Sequence, residues 1–254
     1  MIKRFFNIQL IKSFVGVSTQ YFLGILLLFV MNIVLARTMS VSDFGIFGFV
    51  LSLSTVLSIP VSGGLSMFLT REVAGYTQTR NWSAYRGLLL VACWWVILAS
   101  FICGLALLSL TVIIERVPVH LYLIAFAFVP IMGLNTIRSG ILKGLGHPIL
   151  ADGPTMVLQP MLLIIAYLLL AYLGLTSATN ALLFYFVVFF IVFGMASVML
   201  FLVQPSSVYA TKSDMSDKPL WFRALLPFML MNATTLLSTQ TAILIAGFMG
   251  KDEV

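Results

Sequence analysis

Charge is scarce in this sequence. Asp, Glu, Lys and Arg make up 9% of its 254 residues, against about a quarter in soluble domains. That leaves too little polar surface to coat a water-soluble globule. Acidic residues are scarcer still, eight in all. Asp43, Glu72, Glu115, Asp152, Asp214, Asp217, Asp252 and Glu253 fall in loops or at the ends of apolar runs. Intramembrane acids mark proton and cation relays, so this pattern argues against such a relay. There are two cysteines, Cys93 and Cys103, ten apart in one apolar run. They face different sides of a helix and cannot pair. No His/Cys cluster has metal-ligand spacing, and His120 and His147 are lone loop residues. No carboxylate pair, nucleophile–base set or phosphate-cradling glycine loop is visible. The expectation is no enzyme, no metal and no cofactor.

What the chain does have is apolar length. A membrane-spanning helix needs about 20 mostly apolar residues, and seven stretches qualify. They run roughly over Ser13–Ala36, Phe44–Leu69, Gly87–Ile114, Leu121–Ile141, Thr155–Leu175, Ala181–Val203 and Ala224–Met249. The first exceeds a signal-peptide core of about 7–15 residues, so it reads as a retained span. The runs are too long for barrel strands and do not alternate. The expected fold class is therefore an all-α polytopic membrane protein with about seven transmembrane helices.

The net charge of +6 does not point to nucleic acid, because the basic residues are spread between spans rather than gathered into a patch. Counted by side, eleven Lys and Arg fall with the N-terminus and three (Arg37, Arg116, Lys251) on the other side. By the positive-inside rule, the N-terminus is cytoplasmic. Trp82, Tyr85 and Trp221 suit the headgroup level, in loops that would carry short interfacial helices.

Polar residues inside spans are the functional candidates. Ser13, Gly16, Gln20 and Gly24 share one face of span one, for close packing or for a polar cavity. Asn232, Thr235 and Thr239 share a face of span seven, for a cavity or for interhelical hydrogen bonds. Asn135 and Arg138 share a face at the end of span four. An arginine at the bilayer centre costs about 2.5–3.5 kcal/mol, so Arg138 should snorkel or face water, as a topology anchor or an anion contact. Arg71, closing span two, carries the same two readings, and Lys143 reads more as an anchor. Pro60, Pro130, Pro160 and Pro227 fall within spans and can kink them. A shift of 210 residues lays Ile33-Val34-Leu35-Ala36 on Ile243-Leu244-Ile245-Ala246 and Asp43 on Glu253. Span seven thus looks like a restart of span one. This divides the chain into a six-helix lobe at 1–223 and the first helix of a second, pseudo-symmetric lobe at 224–254.

Three stretches carry a family resemblance. They are Leu35-Ala36-Arg37 through Asp43-Phe44-Gly45, Gly63-Gly64-Leu65 leading to Arg71-Glu72, and Pro130 through Arg138-Ser139-Gly140-Ile141-Leu142-Lys143-Gly144-Leu145-Gly146. In order and spacing the chain resembles the first half of the polysaccharide (O-antigen) flippases of the multidrug/oligosaccharidyl-lipid/polysaccharide exporter superfamily. The resemblance implies two six-helix lobes around a cavity in the bacterial cytoplasmic membrane. It implies alternating access that carries an undecaprenyl-diphosphate-linked oligosaccharide repeat unit between leaflets, for O-antigen or polysaccharide biosynthesis. It implies a lipid-linked oligosaccharide, membrane lipid and other polysaccharide-assembly membrane proteins as partners. Arg71 and Arg138 are the positions that would face the diphosphate; Asn135, Gln20, Asn232, Thr235 and Thr239 would line the cavity. The rival expectations are an inactive fragment truncated to its N-terminal half and a multidrug or cation exporter of the same superfamily. A membrane polymerase or ligase is a weaker rival, for want of a sizeable far-side loop.

Overall fold

The computed structural model describes residues 2–113, 118–216 and 218–249, with side chains described outside 2–13, 110–113, 209–210, 236, 240 and 242–249. All regular structure among these residues is helical. The long helices are α1 (Ile2–Thr38), α2 (Val41–Leu57), α4 (Leu65–Thr79), α5 (Trp82–Ile113), α6 (Val119–Gly144), α8 (Gln159–Tyr172), α9 (Ala178–Val203) and α11 (Lys218–Met249). Short helices α3 (Ile59–Ser62), α7 (Pro148–Gly153) and α10 (Ser207–Ala210) join them. Six segments are long and apolar enough to cross a membrane; α2 with α3–α4, bent by 42°, makes a seventh. The chain is a multi-pass, all-α membrane protein. Its outside is apolar, as lipid requires: Phe14, Phe22 and Leu202 are 74, 73 and 80% exposed.

The spans predicted from the sequence match these helices except in two places. Span two is broken. Ser58 ends α2, Pro60 opens α3, and Gly64 turns the chain with φ +72° before α4. Only glycine adopts that φ freely. A Cβ at Gly64 would also strike the backbone of Phe228, so α11 lies directly on the break. Span five begins at Pro148 rather than Thr155. Pro148 stands at the first helical position, where the missing N–H is no loss, whereas Pro154 follows a helical Gly153 and its missing N–H interrupts the ladder. A π-helical turn over Pro154–Leu158 then carries α7 into α8. Asp152, expected in a loop, is thereby inside a span. Pro130 and Pro227 lie within continuous helices.

Two contacts knit the bundle. Gly133, Gly140 and Gly144 form one face of α6, and a Cβ on each would press into Val61 and Val96, Ser66 and Leu69, or Val73. These small residues let α4 approach α6 closely, and Thr70 Oγ1 donates to the Gly140 carbonyl at 3.2 Å. At the opposite end, Ser40 caps α2 and donates to Asp43, whose other carboxylate oxygen accepts the Ala178 N–H at 2.9 Å. That ties the start of α2 to the start of α9.

The aromatics at these span ends are covered by protein. Tyr85 is fully buried and Trp221 is 4% exposed; Trp82 is half-buried. Helix α4 continues to Thr79, and the 211–216 segment folds across the first turns of α5, covering these rings with protein. Trp221 Nε1 donates to Tyr76 Oη at 2.9 Å. Cys93 and Cys103 are unpaired thiols, as their spacing required. The second half of the proposed repeat falls on 243–254; residues 250–254 lie outside the described residues.

Candidate functional site

The last two turns of α6 place Asn135, Arg138, Ser139 and Lys143 toward α7 and α1. The turn at 145–147 reverses the chain and brings Ala151 and Asp152 back over them. The Lys143 carbonyl accepts the Gly146 N–H at 3.0 Å in that turn. The guanidinium of Arg138 is 2% exposed. It donates from Nε and Nη2 to Asn135 Oδ1 at 3.1 and 2.9 Å, and from Nη2 to the Ala151 carbonyl at 2.8 Å. Its Nη1 is buried with no hydrogen-bond partner.

Asp152 is the centre of the corner. Its Oδ1 accepts from Ser139 Oγ at 3.0 Å and from Lys143 Nζ at 2.9 Å. Its Oδ2 accepts from Tyr21 Oη, on α1, at 2.9 Å. One carboxylate thus gathers three donors from two helices. Lys143, half-buried in the last turn of α6, pairs with it, and the buried Arg138 has no carboxylate of its own. A buried pair broken by removing one partner costs about 3–5 kcal/mol, so these groups fix one another's positions.

Helix α1 docks onto this corner through the face read from the sequence. Gly16 lies against Ile149 and Gly24 against the Met156 backbone. Gln20, between them, is 9% exposed and lies beside Gly153. Both of its amide atoms are buried without a partner. Gly16 and Gly24 let this face pack closely, while the Gln20 amide between them stays unsatisfied. Arg138 is buried in protein, where Asn135 and the Ala151 carbonyl accept its hydrogen bonds.

The other candidates are not brought to this corner. Arg71 is exposed on α4, pairs with its neighbour Glu72 at 2.6 Å, and stands 5.6 Å from the ring centre of Phe228 on α11. It shares no partner with Arg138. Thr235 is exposed and donates to the Met231 carbonyl of its own helix at 3.1 Å; Thr239 is exposed. Asn232 is half-buried. The three lie on α11, which packs on α2–α4.

Sequence reasoning missed Tyr21, Ser139 and Asp152. The missed signal was His147-Pro148. Read as a helix start, it puts Asp152 in the first turns of a span, and the reversal after Gly144 sets it opposite Ser139 and Lys143. The corner is a hydrogen-bonded junction of α1, α6 and α7. It can hold α1 against α6 and α7, and it can offer an unpaired guanidinium N–H to an anion once α1 or α7 moves. No protein family, curated protein or solved structure matches the chain.

Proposed function

We propose that this chain is a lobe of a lipid-linked oligosaccharide flippase. It would move undecaprenyl-diphosphate-linked repeat units across the bacterial cytoplasmic membrane by alternating access, with its N-terminus in the cytoplasm. The carrying observation is Arg138, 2% exposed within a span and with its Nη1 unpartnered, beside an Asp152 that already pairs with the half-buried Lys143. Intramembrane charge is costly and marks function by default. A diphosphate headgroup needs a cationic path while its polyprenyl tail stays in hydrocarbon. Arg138 supplies the cation, and displacement of α1 opens the way to its unpaired Nη1. The family resemblance in the Pro130–Gly146 run supports the same reading.

One observation favours a second reading. Asp152 is an acid inside a span, which the sequence analysis did not anticipate, and a multidrug or cation exporter uses such groups. Its pairing with Lys143 weighs against it, because a carboxylate already neutralised by an ammonium has less to offer a cation.

The test is restoration of surface polysaccharide in a strain deprived of its O-antigen flippase. It is run with the chain alone and with the chain fused to the second half of an active flippase. Arg138→Gln should abolish restoration at unchanged membrane levels. Restoration by the fusion alone would assign the chain as an inactive part. Restoration by neither, or an indifferent Arg138→Gln, would sink the reading; drug-resistance gained instead would favour the exporter.

A further inference from the structure

An open trough lies away from the charged corner, on the flank between α5 and the start of α11. It holds about 710 Å³. Its wall on α5 is a stripe of Val91, Trp94, Leu98 and Phe101, spaced to share one helical face. Phe222 of α11 closes the other side, its ring 5.7 Å from that of Trp95. Trp94 is 68% and Phe101 63% exposed, so the trough opens sideways to where acyl chains lie.

One end of the trough is basic. Lys218 is the charged residue that lines it. The segment before it is pinned across the start of α5: Arg86 Nη1 donates to the Thr211 carbonyl at 2.7 Å, and the Asp214 N–H to the Ser83 carbonyl at 3.0 Å. Asp214 is turned onto Ser216, accepting from its hydroxyl at 2.6 Å and its N–H at 3.0 Å. These bonds hold its carboxyl below the usual range, so it stays charged but occupied. Arg86, Lys212, Lys218 and Arg223 outnumber Asp214 and Asp217 in and beside this segment, four to two.

We propose that this trough binds one molecule of anionic phospholipid, with an acyl chain along the α5 stripe and the phosphate at Lys218. A soluble phosphate has no use for the aromatic stripe, and a neutral lipid gains nothing from Lys218. The combination of apolar wall and basic end matches a lipid carrying net negative charge. The proposal does not rest on the transport reading.

The test is native mass spectrometry of the full chain in mild detergent, with phosphatidylglycerol or phosphatidylcholine of matched acyl chains. Phosphatidylglycerol should be retained about fivefold better, the effect of one basic residue at an anionic surface. Lys218→Gln should remove that preference, and Trp94→Ala should lower retention of both lipids. Equal retention by the wild-type chain would overturn the proposal. So would a preference that survives Lys218→Gln, lipid retention indifferent to Trp94→Ala, or a second copy of the chain displacing the lipid.

Discussion

The corner of α1, α6 and α7 and the exposed side of α11 are both polar patches on membrane-spanning helices, yet they solve the polarity differently. In the corner, side chains find partners on other elements: Tyr21 with Asp152, Arg138 with Ala151, Lys143 with Asp152. On α11 the hydroxyls turn back on their own helix. Thr234 and Thr235 donate to the Met231 carbonyl, Ser238 to Thr234 and Thr241 to Leu237. A hydroxyl can satisfy itself within one turn, so it places no demand on tertiary structure. A charge has more to satisfy in hydrocarbon: Arg138 uses Asn135 of its own helix and still reaches Ala151 on α7. It must recruit a partner, and the partner fixes a helix.

That contrast predicts its largest effect at Asp152. Asp152→Ala removes the acceptor of three donors and leaves two cations in the bundle. The chain should lose about 3–5 kcal/mol of stability, read as a lower unfolding midpoint in detergent. Adding Lys143→Ala should recover part of the loss, because one uncompensated charge is gone. Full additivity of the two changes would contradict the ion pair as drawn.

Next in size is the break under α11. Gly64→Ala places a side chain at φ +72° and against the Phe228 backbone. Strain of this kind costs of order 1–3 kcal/mol. It should loosen α11 before the α1 corner, so proteolysis within the 211–216 segment should accelerate while Tyr21 stays protected.

Tyr21→Phe is milder. It removes one hydroxyl from Asp152 and leaves Ser139 and Lys143 in place, at about 0.5–1.5 kcal/mol. Cysteines placed at Gly16 and Ile149 should cross-link less readily in this variant. An unchanged rate would mean that the α1 packing face, not the Tyr21 hydroxyl, holds the helix.

The spans were legible because apolar length is a local property, and seven runs were long enough to read singly. The end of span four was legible too, since Asn135 and Arg138 meet at helical spacing. The corner was not, because Tyr21 and Asp152 are 131 residues apart and only the tertiary fold brings α1 to α7. The start of span five was misread for a local reason. Asp152, Gly153 and Pro154 look like a loop, whereas a proline-started helix and a π-helical turn absorb all three. The burial of Trp221 and Tyr85 was not legible for a tertiary one: an aromatic at a span end suits a headgroup or a protein neighbour equally well until the 211–216 segment is placed.

The smallest effect belongs to α11. Thr234→Val with Thr235→Val removes two hydroxyls whose bonds close on their own helix, and valine fills the same volume. Stability should change by about 0.5 kcal/mol or less. Asn232 sharpens the point, because a carboxamide has two N–H donors and an acceptor oxygen to satisfy where a threonine has one hydroxyl. If the side of α11 that carries Asn232 meets acyl chains, Asn232→Leu should raise the unfolding midpoint in detergent. If that side meets water in a transport path, the same change should leave the midpoint alone and instead protect a cysteine at Thr235 from a water-soluble thiol reagent. The two outcomes divide a lipid-facing helix from a cavity wall without any assumption about the substrate.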